Sequence, residues 1–89
     1  MNANAHIKVE RECGQFAKNA TDVVKGRLTR VRGFPCADVR VFVPGAGGDL
    51  SATRHGICFA REKLPELREL VQAMIDACGP AEPAGGGPQ

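Results

Sequence analysis

Between Glu62 and Ala77 the chain can form only an amphipathic helix. Wound at about 100° per residue, Leu64, Leu67, Leu70, Val71, Met74, Ile75 and Cys78 fall in one arc, with Glu66, Arg68, Glu69, Gln72 and Asp76 opposite. Pro65 is tolerated only in a first turn, so the helix begins near Arg61 to Lys63, without a good Ser, Thr, Asp or Asn cap. Cys78-Gly79-Pro80 stops it. The apolar arc is about 160° wide, more than the roughly 100° stripe that lying on one sheet requires. Something else must cover the excess.

The chain has 89 residues, 43% of them hydrophobic. No apolar run approaches ~18 residues, which predicts one small domain without a membrane span or secretory signal, in the reducing cytoplasm. The Ala/Gly/Pro run after Cys78 predicts a disordered tail over 79–89, and the weakly patterned 1–15 a flexible segment or short strand. The ordered domain is then 16–78, below the ~70–80 residues at which a lone core supplies more than ~3–5 kcal/mol. Both arguments favour a homodimer sharing helices, with Leu67, Leu70, Val71, Met74 and Cys78 at the interface. The alternative cover is the N-terminal segment folded back over the helix.

Ahead of the helix the period is that of strands. Val24, Gly26 and Leu28 alternate with Lys25, Arg27 and Thr29. After a break at Arg32-Gly33-Phe34-Pro35, the cleanest strand runs from about Cys36 to Val43, with Ala37, Val39, Val41 and Val43 on one face and Cys36, Asp38, Arg40 and Phe42 on the other. A Gly-rich turn over 44–49 leads to a further strand from about Ser51 to Phe59, where Gly56 signals a bulge or a close backbone approach. The class is α+β, strands first and one helix last.

The formal charge of +2, with no Trp, no Tyr and four Phe, argues at face value against a nucleic-acid binder. Divided at Phe59, the total separates into nine basic against five acidic residues before it and three against five after it. The sheet is basic and the helix acidic. Between Lys18 and Arg40 six cations meet two anions, a track suited to a sugar-phosphate backbone, although solvent-facing strands also carry Lys and Arg for solubility, and Arg40 could simply pair with Asp38.

Catalytic and cofactor chemistry finds little support. His55 and Cys58, three apart on a strand, fall on opposite faces. The loop over 45–49 has no Gly-Lys-Ser/Thr and no following helix, so it is not a phosphate loop. Cys13, Cys36, Cys58 and Cys78 form no CxxC pair, and in the cytosol such thiols read as small buried hydrophobes. A non-enzyme without cofactor or metal is expected.

From Phe16 to Ala77 the chain carries, in order, Phe16-Ala17-Lys18-Asn19, Arg32-Gly33, Ala37-Asp38-Val39-Arg40-Val41-Phe42, Arg54-His55-Gly56-Ile57 and Lys63-Leu64-Pro65-Glu66-Leu67. In these marks and in the order of its elements it resembles the positive cofactor four family of transcriptional coactivators, particularly its short bacterial members. The resemblance implies a curved antiparallel sheet of about four strands and one helix, dimerising through the helices. It also implies non-catalytic, largely sequence-independent binding of single-stranded DNA or melted duplex in transcription regulation or genome maintenance. RNA is an alternative ligand, and the transcription machinery a candidate partner.

Carried over by position, the contacts are Arg32, Arg40, Arg54 and His55; patterning adds Lys25, Arg27 and Arg30, and Phe34 and Phe42 are candidate stacking rings. Val31 stands where the family often has an aromatic, Ser51 where it has Lys or Arg, and His55 where it has Lys. These departures predict weaker binding, since base–aromatic stacking is worth roughly 1–3 kcal/mol per base. The competing reading is a structural or protein-interaction homodimer that has lost the ligand.

Overall fold

The computed structural model describes residues 7–79. Four strands, β1 (Ile7–Ala17), β2 (Val23–Val31), β3 (Phe34–Pro44) and β4 (Leu50–Ala60), form one antiparallel sheet in the order β1-β2-β3-β4. A 3₁₀ turn, Arg61–Lys63, leads directly into α1 (Leu64–Cys78). The expected α+β class and strand-then-helix order are what the chain adopts.

The connections follow from local chemistry. The Asn19 side-chain oxygen accepts from the Thr21 and Asp22 amides at 3.0 and 2.8 Å, and the Lys18 amide donates to the Asp22 carbonyl at 2.8 Å, closing the β1–β2 link. Arg32 and Gly33 join β2 to β3 with φ of 51° and 88°. Two positive φ values in a two-residue loop are what a hairpin with right-handed strand twist needs. That tight turn lets β3 begin at Phe34, two residues before the expected Cys36. α1 starts without a side-chain cap, has Pro65 in its first turn, and ends where Gly79, at φ 72°, donates to the Ile75 carbonyl.

The N-terminal boundary expected at residue 15 is corrected. β1 pairs with β2 from Ile7↔Val31 to Ala17↔Val23, so that boundary would cut a strand. Register shifts between Val9 and Arg11 and between Glu12 and Gly14 break the alternation. Each extra residue reverses the in–out order, leaving the sequence pattern weak although the strand is eleven residues long. Residues 1–6, and residues 80–89 of the tail expected over 79–89, lie outside the described residues.

Pairing assigns the faces. Lys25↔Arg40, Arg27↔Asp38 and Thr29↔Cys36 lie on one, Gly26↔Val39 and Leu28↔Ala37 on the other. The first face is concave, because Ile7 and Val9 of one edge strand and Ala52, Thr53 and Arg54 of the other line a common hollow. Among the described residues Ala37 and Phe42 are the buried apolar ones, and Thr29 and Asp38 the buried polar ones.

α1 has no buried residue. Leu64 and Leu67 are half-buried; a shallow hollow between helix and sheet is lined by Ile57, Phe59, Leu67 and Leu70. Leu70, Val71, Met74 and Ile75 remain exposed. Among the described residues the wide apolar arc is thus left largely uncovered, and the N-terminal strand does not fold over it: β1 pairs with β2 instead. Among the described residues no helix is long and apolar enough to cross a membrane.

Candidate functional site

Asp38, in the middle of β3, organises the concave face. Its carboxylate receives Arg40 Nη2 at 2.7 Å and Nε at 3.1 Å from two residues along the same strand, and Arg27 Nη2 at 2.9 Å from its cross-strand partner. Asp38 is 4% exposed. Burial pushes its carboxyl up, but the hydrogen bonds from Arg40 and Arg27 outweigh that and hold it below the ordinary 3.8. The same pairing raises Arg40 above its usual value. The alternative of an Arg40–Asp38 pair is therefore realised, and Arg27 makes it a triad with a net charge of +1.

Phe42 continues this assembly. Lys25 Nζ lies 4.7 Å from the ring centroid and the Arg27 guanidinium carbon 5.2 Å, two cation–π contacts that hold both cations against the ring. The ring is buried, at 8% exposure. Phe42 is thus corrected from a base-stacking ring to the support beneath Lys25 and Arg27. Lys25 also approaches Glu12 of β1, at 3.9 Å.

On β4 a bulge presents Arg54. The register shifts opposite Val41, between the pairs Arg40↔Gly56 and Phe42↔Ala52. Thr53 stabilises the irregularity: its hydroxyl donates to the Val41 carbonyl at 2.8 Å and accepts from the His55 amide at 3.1 Å, while its carbonyl accepts from Arg40 Nη1 at 3.1 Å. Gly56 closes the bulge at φ 155°, and a Cβ there would lie 2.8 Å from Arg40 Cα, so this is the close approach its place in the strand implied. Arg54 lines the hollow with Arg27 and Arg40; His55 is exposed beside it. The hollow has a volume of about 590 Å³.

The remaining expected contacts divide. Arg32 is exposed on the β2–β3 turn, and Phe34, 71% exposed, stands at that end of the concave face. Arg30 is corrected. It shares its face with Leu28, opposite to Arg27, and is held there by Glu10 at 2.9 Å and the Gly33 carbonyl at 3.0 Å. The parity of residue 30 with 24, 26 and 28 already placed it there. Arg61, which pattern reading passes over, reaches back to the Thr29 carbonyl at 2.7 Å, the Cys36 carbonyl at 3.3 Å and Glu10 at 2.9 Å. It ties three strands to the start of the helix. Hydrogen bonds from Arg30 and Arg61 lower the Glu10 carboxyl below its ordinary value.

The chain matches no family model, no curated protein and no solved structure. Its site is read from its own geometry.

The cysteines differ from expectation. Cys13, Cys58 and Cys78 are exposed and Cys36 is half-buried, because β1 and α1 bury little and the concave face is open. Burial pushes the Cys58 thiol up, with Cys36 and Asp38 adding to the effect, so it stays a neutral group beside the cations. Among the described residues no three His, Cys, Asp or Glu side chains gather as metal ligands would. The expected interface residues Leu67, Leu70, Val71, Met74 and Cys78 all lie on α1, and all but the half-buried Leu67 are exposed.

Proposed function

We propose that this chain is a non-catalytic, single-stranded nucleic-acid-binding protein that acts as a homodimer in the cytoplasm, in transcription regulation or genome maintenance. The observation that carries the reading is the convergence of Lys25, Arg27, Arg40 and Arg54, from three strands, on one concave face whose acids, Asp38 and Glu12, are already paired. Four cations against two anions leave a surplus for phosphates, and the triad and the Phe42 support fix Lys25, Arg27 and Arg40 before any ligand arrives, which lowers the entropy cost of binding. A curved, sequence-neutral cationic surface suits a flexible single strand better than a straight duplex. The resemblance to the positive cofactor four family points the same way, with the transcription machinery as candidate partner.

The homodimer rests on α1. An isolated helix of 15 residues is marginal in water, and this one offers Leu70, Val71, Met74 and Ile75 to solvent. A second copy supplies an identical apolar stripe with no further partner required.

Titration of a labelled oligothymidylate tests the reading. Neutralising two to four phosphates gives a slope of log K against log salt of about −1.4 to −2.8 for single strands. Equal affinity for duplex, or no salt dependence, would overturn it. A second reading, a structural homodimer without a nucleic-acid ligand, is favoured by one observation: Arg27 and Arg40 already have a carboxylate partner. It predicts that Arg40→Gln combined with Arg54→Gln leaves function untouched.

A further inference from the structure

The hollow on the concave face has two chemically different sides. Arg27, Arg40 and Arg54 supply one, while Ile7 and Val9 of β1 bring aliphatic side chains to the same space. Ile7 and Val9 are 37% and 41% exposed, so their aliphatic surface is open to the hollow. The aromatic rings are elsewhere. Phe42 is buried beneath Lys25 and Arg27, Phe34 stands at the end of the sheet, and Phe16 and Phe59 belong to the opposite face. None of the four lines the hollow.

We propose that Ile7 and Val9 form the base-contacting wall of the site, against which nucleobases of a bound single strand lie while its phosphates run along Arg54 and Arg40. The assignment rests on the single-strand reading and deepens it. A nucleotide has a flat, weakly polar base and an anionic phosphate, and the hollow offers an apolar and a cationic surface to match them. Its volume of about 590 Å³ falls within the roughly 300–1,000 Å³ of ordinary ligand clefts. Aliphatic side chains bury the face of any base without reading its edge, so the contact adds affinity and no sequence preference. It also gives β1 a role: its pairing to β2 at Ile7↔Val31 and Val9↔Thr29 carries both side chains onto the concave face.

The experiment compares an oligothymidylate with an abasic strand of equal length, which keeps the phosphates and lacks the bases. For Ile7→Ser combined with Val9→Ser, affinity for oligothymidylate falls about fivefold, while abasic affinity and the salt slope stay at wild-type values. Val9→Phe, which enlarges the wall, binds oligothymidylate more tightly and the abasic strand unchanged. A double variant that binds both strands like wild type, or loses both equally while its thermal melt is unaltered, overturns the assignment and leaves the single-strand reading standing. If the double variant does not fold, Val9→Phe decides: absence of a base-dependent gain overturns the assignment. Wild-type protein that binds neither strand overturns the single-strand reading and the wall with it.

Discussion

Arg40 folds back along its own strand onto Asp38, two residues away, with Nη2 2.7 Å from the carboxylate, while its Nη1 reaches across to the Thr53 carbonyl of β4. One carboxylate therefore holds a cation of its own strand and Arg27 of the strand beside it. Removing it leaves two mostly buried guanidiniums without their partner, and breaking a buried pair from one side costs about 3–5 kcal/mol. Asp38→Ala is expected near the lower figure, because both guanidinium groups reach solvent at their margins. Denaturant unfolding measures it; a loss below about 1 kcal/mol would place the triad among ordinary surface ion pairs.

The triad also sets an acid limit. The Asp38 carboxyl is held below its ordinary 3.8 in the folded chain. A depressed folded value means that the unfolded state binds the proton more readily, so the stabilisation is complete above that ordinary value and is lost as pH falls below it and through the folded value. Glu10, lowered by Arg30 and Arg61, acts in the same direction. Thermal melts taken downward from neutrality should be flat with respect to these two groups until about pH 5 and then fall. In Asp38→Asn the fall is shallower.

Two glycines of the sheet respond oppositely to alanine. At Gly56 the new Cβ meets Arg40 Cα at 2.8 Å at a φ of 155°, and backbone cannot move aside as a flexible side chain can. Gly56→Ala is expected to cost about 2–3 kcal/mol. At Gly26 a Cβ has nothing within 4 Å and φ is ordinary, so Gly26→Ala is neutral or stabilises by up to about 1 kcal/mol. Melting temperatures of the pair check both signs in one experiment.

Arg61 contributes through backbone rather than through a ligand. Its bonds to the Thr29 and Cys36 carbonyls involve a charged donor, a class worth about 1.5–3 kcal/mol each when fully sheltered. Arg61→Ala is expected to cost about 2 kcal/mol. Arg61→Lys recovers little, since one ammonium cannot span both carbonyls and Glu10. Urea midpoints of the two variants separate loss of charge from loss of the fork.

Met74 tests the association. Light scattering of the wild-type protein should give twice the 9.4 kDa chain mass. Met74→Glu sets a charge in the apolar stripe and should yield the single-chain mass at micromolar concentration, because an unpaired buried ion costs several kcal/mol. A wild-type monomer would remove the dimer from the reading.

The parts of this fold legible in the sequence are those where one period holds without interruption. Cys36 to Val43 alternates cleanly and Leu64 to Cys78 keeps its helical spacing, and both are found within two residues of their expected limits. β1 escaped because its two extra residues shift the alternation twice. Arg40, Arg54 and Arg27 were legible as cations on one face. Phe42 was assigned to the correct face and the wrong role, because parity places a ring but does not say whether neighbouring cations will cover it. Thr53 and Arg61 act on carbonyl groups, which carry no residue-specific signal at any spacing.

The bulges have a consequence for assembly as well. A sheet of four strands leaves two outer rims, each an invitation for another chain to add a strand and so to start a fibre. Here the irregularities occupy those two rims: β1 departs from register twice and β4 is shifted opposite Val41, while β2 and β3 pair without a break between Val23↔Phe42 and Val31↔Phe34. A newcomer would have to reproduce each offset to continue the ladder. Growth of the molecule by strand addition is thereby hindered at both rims.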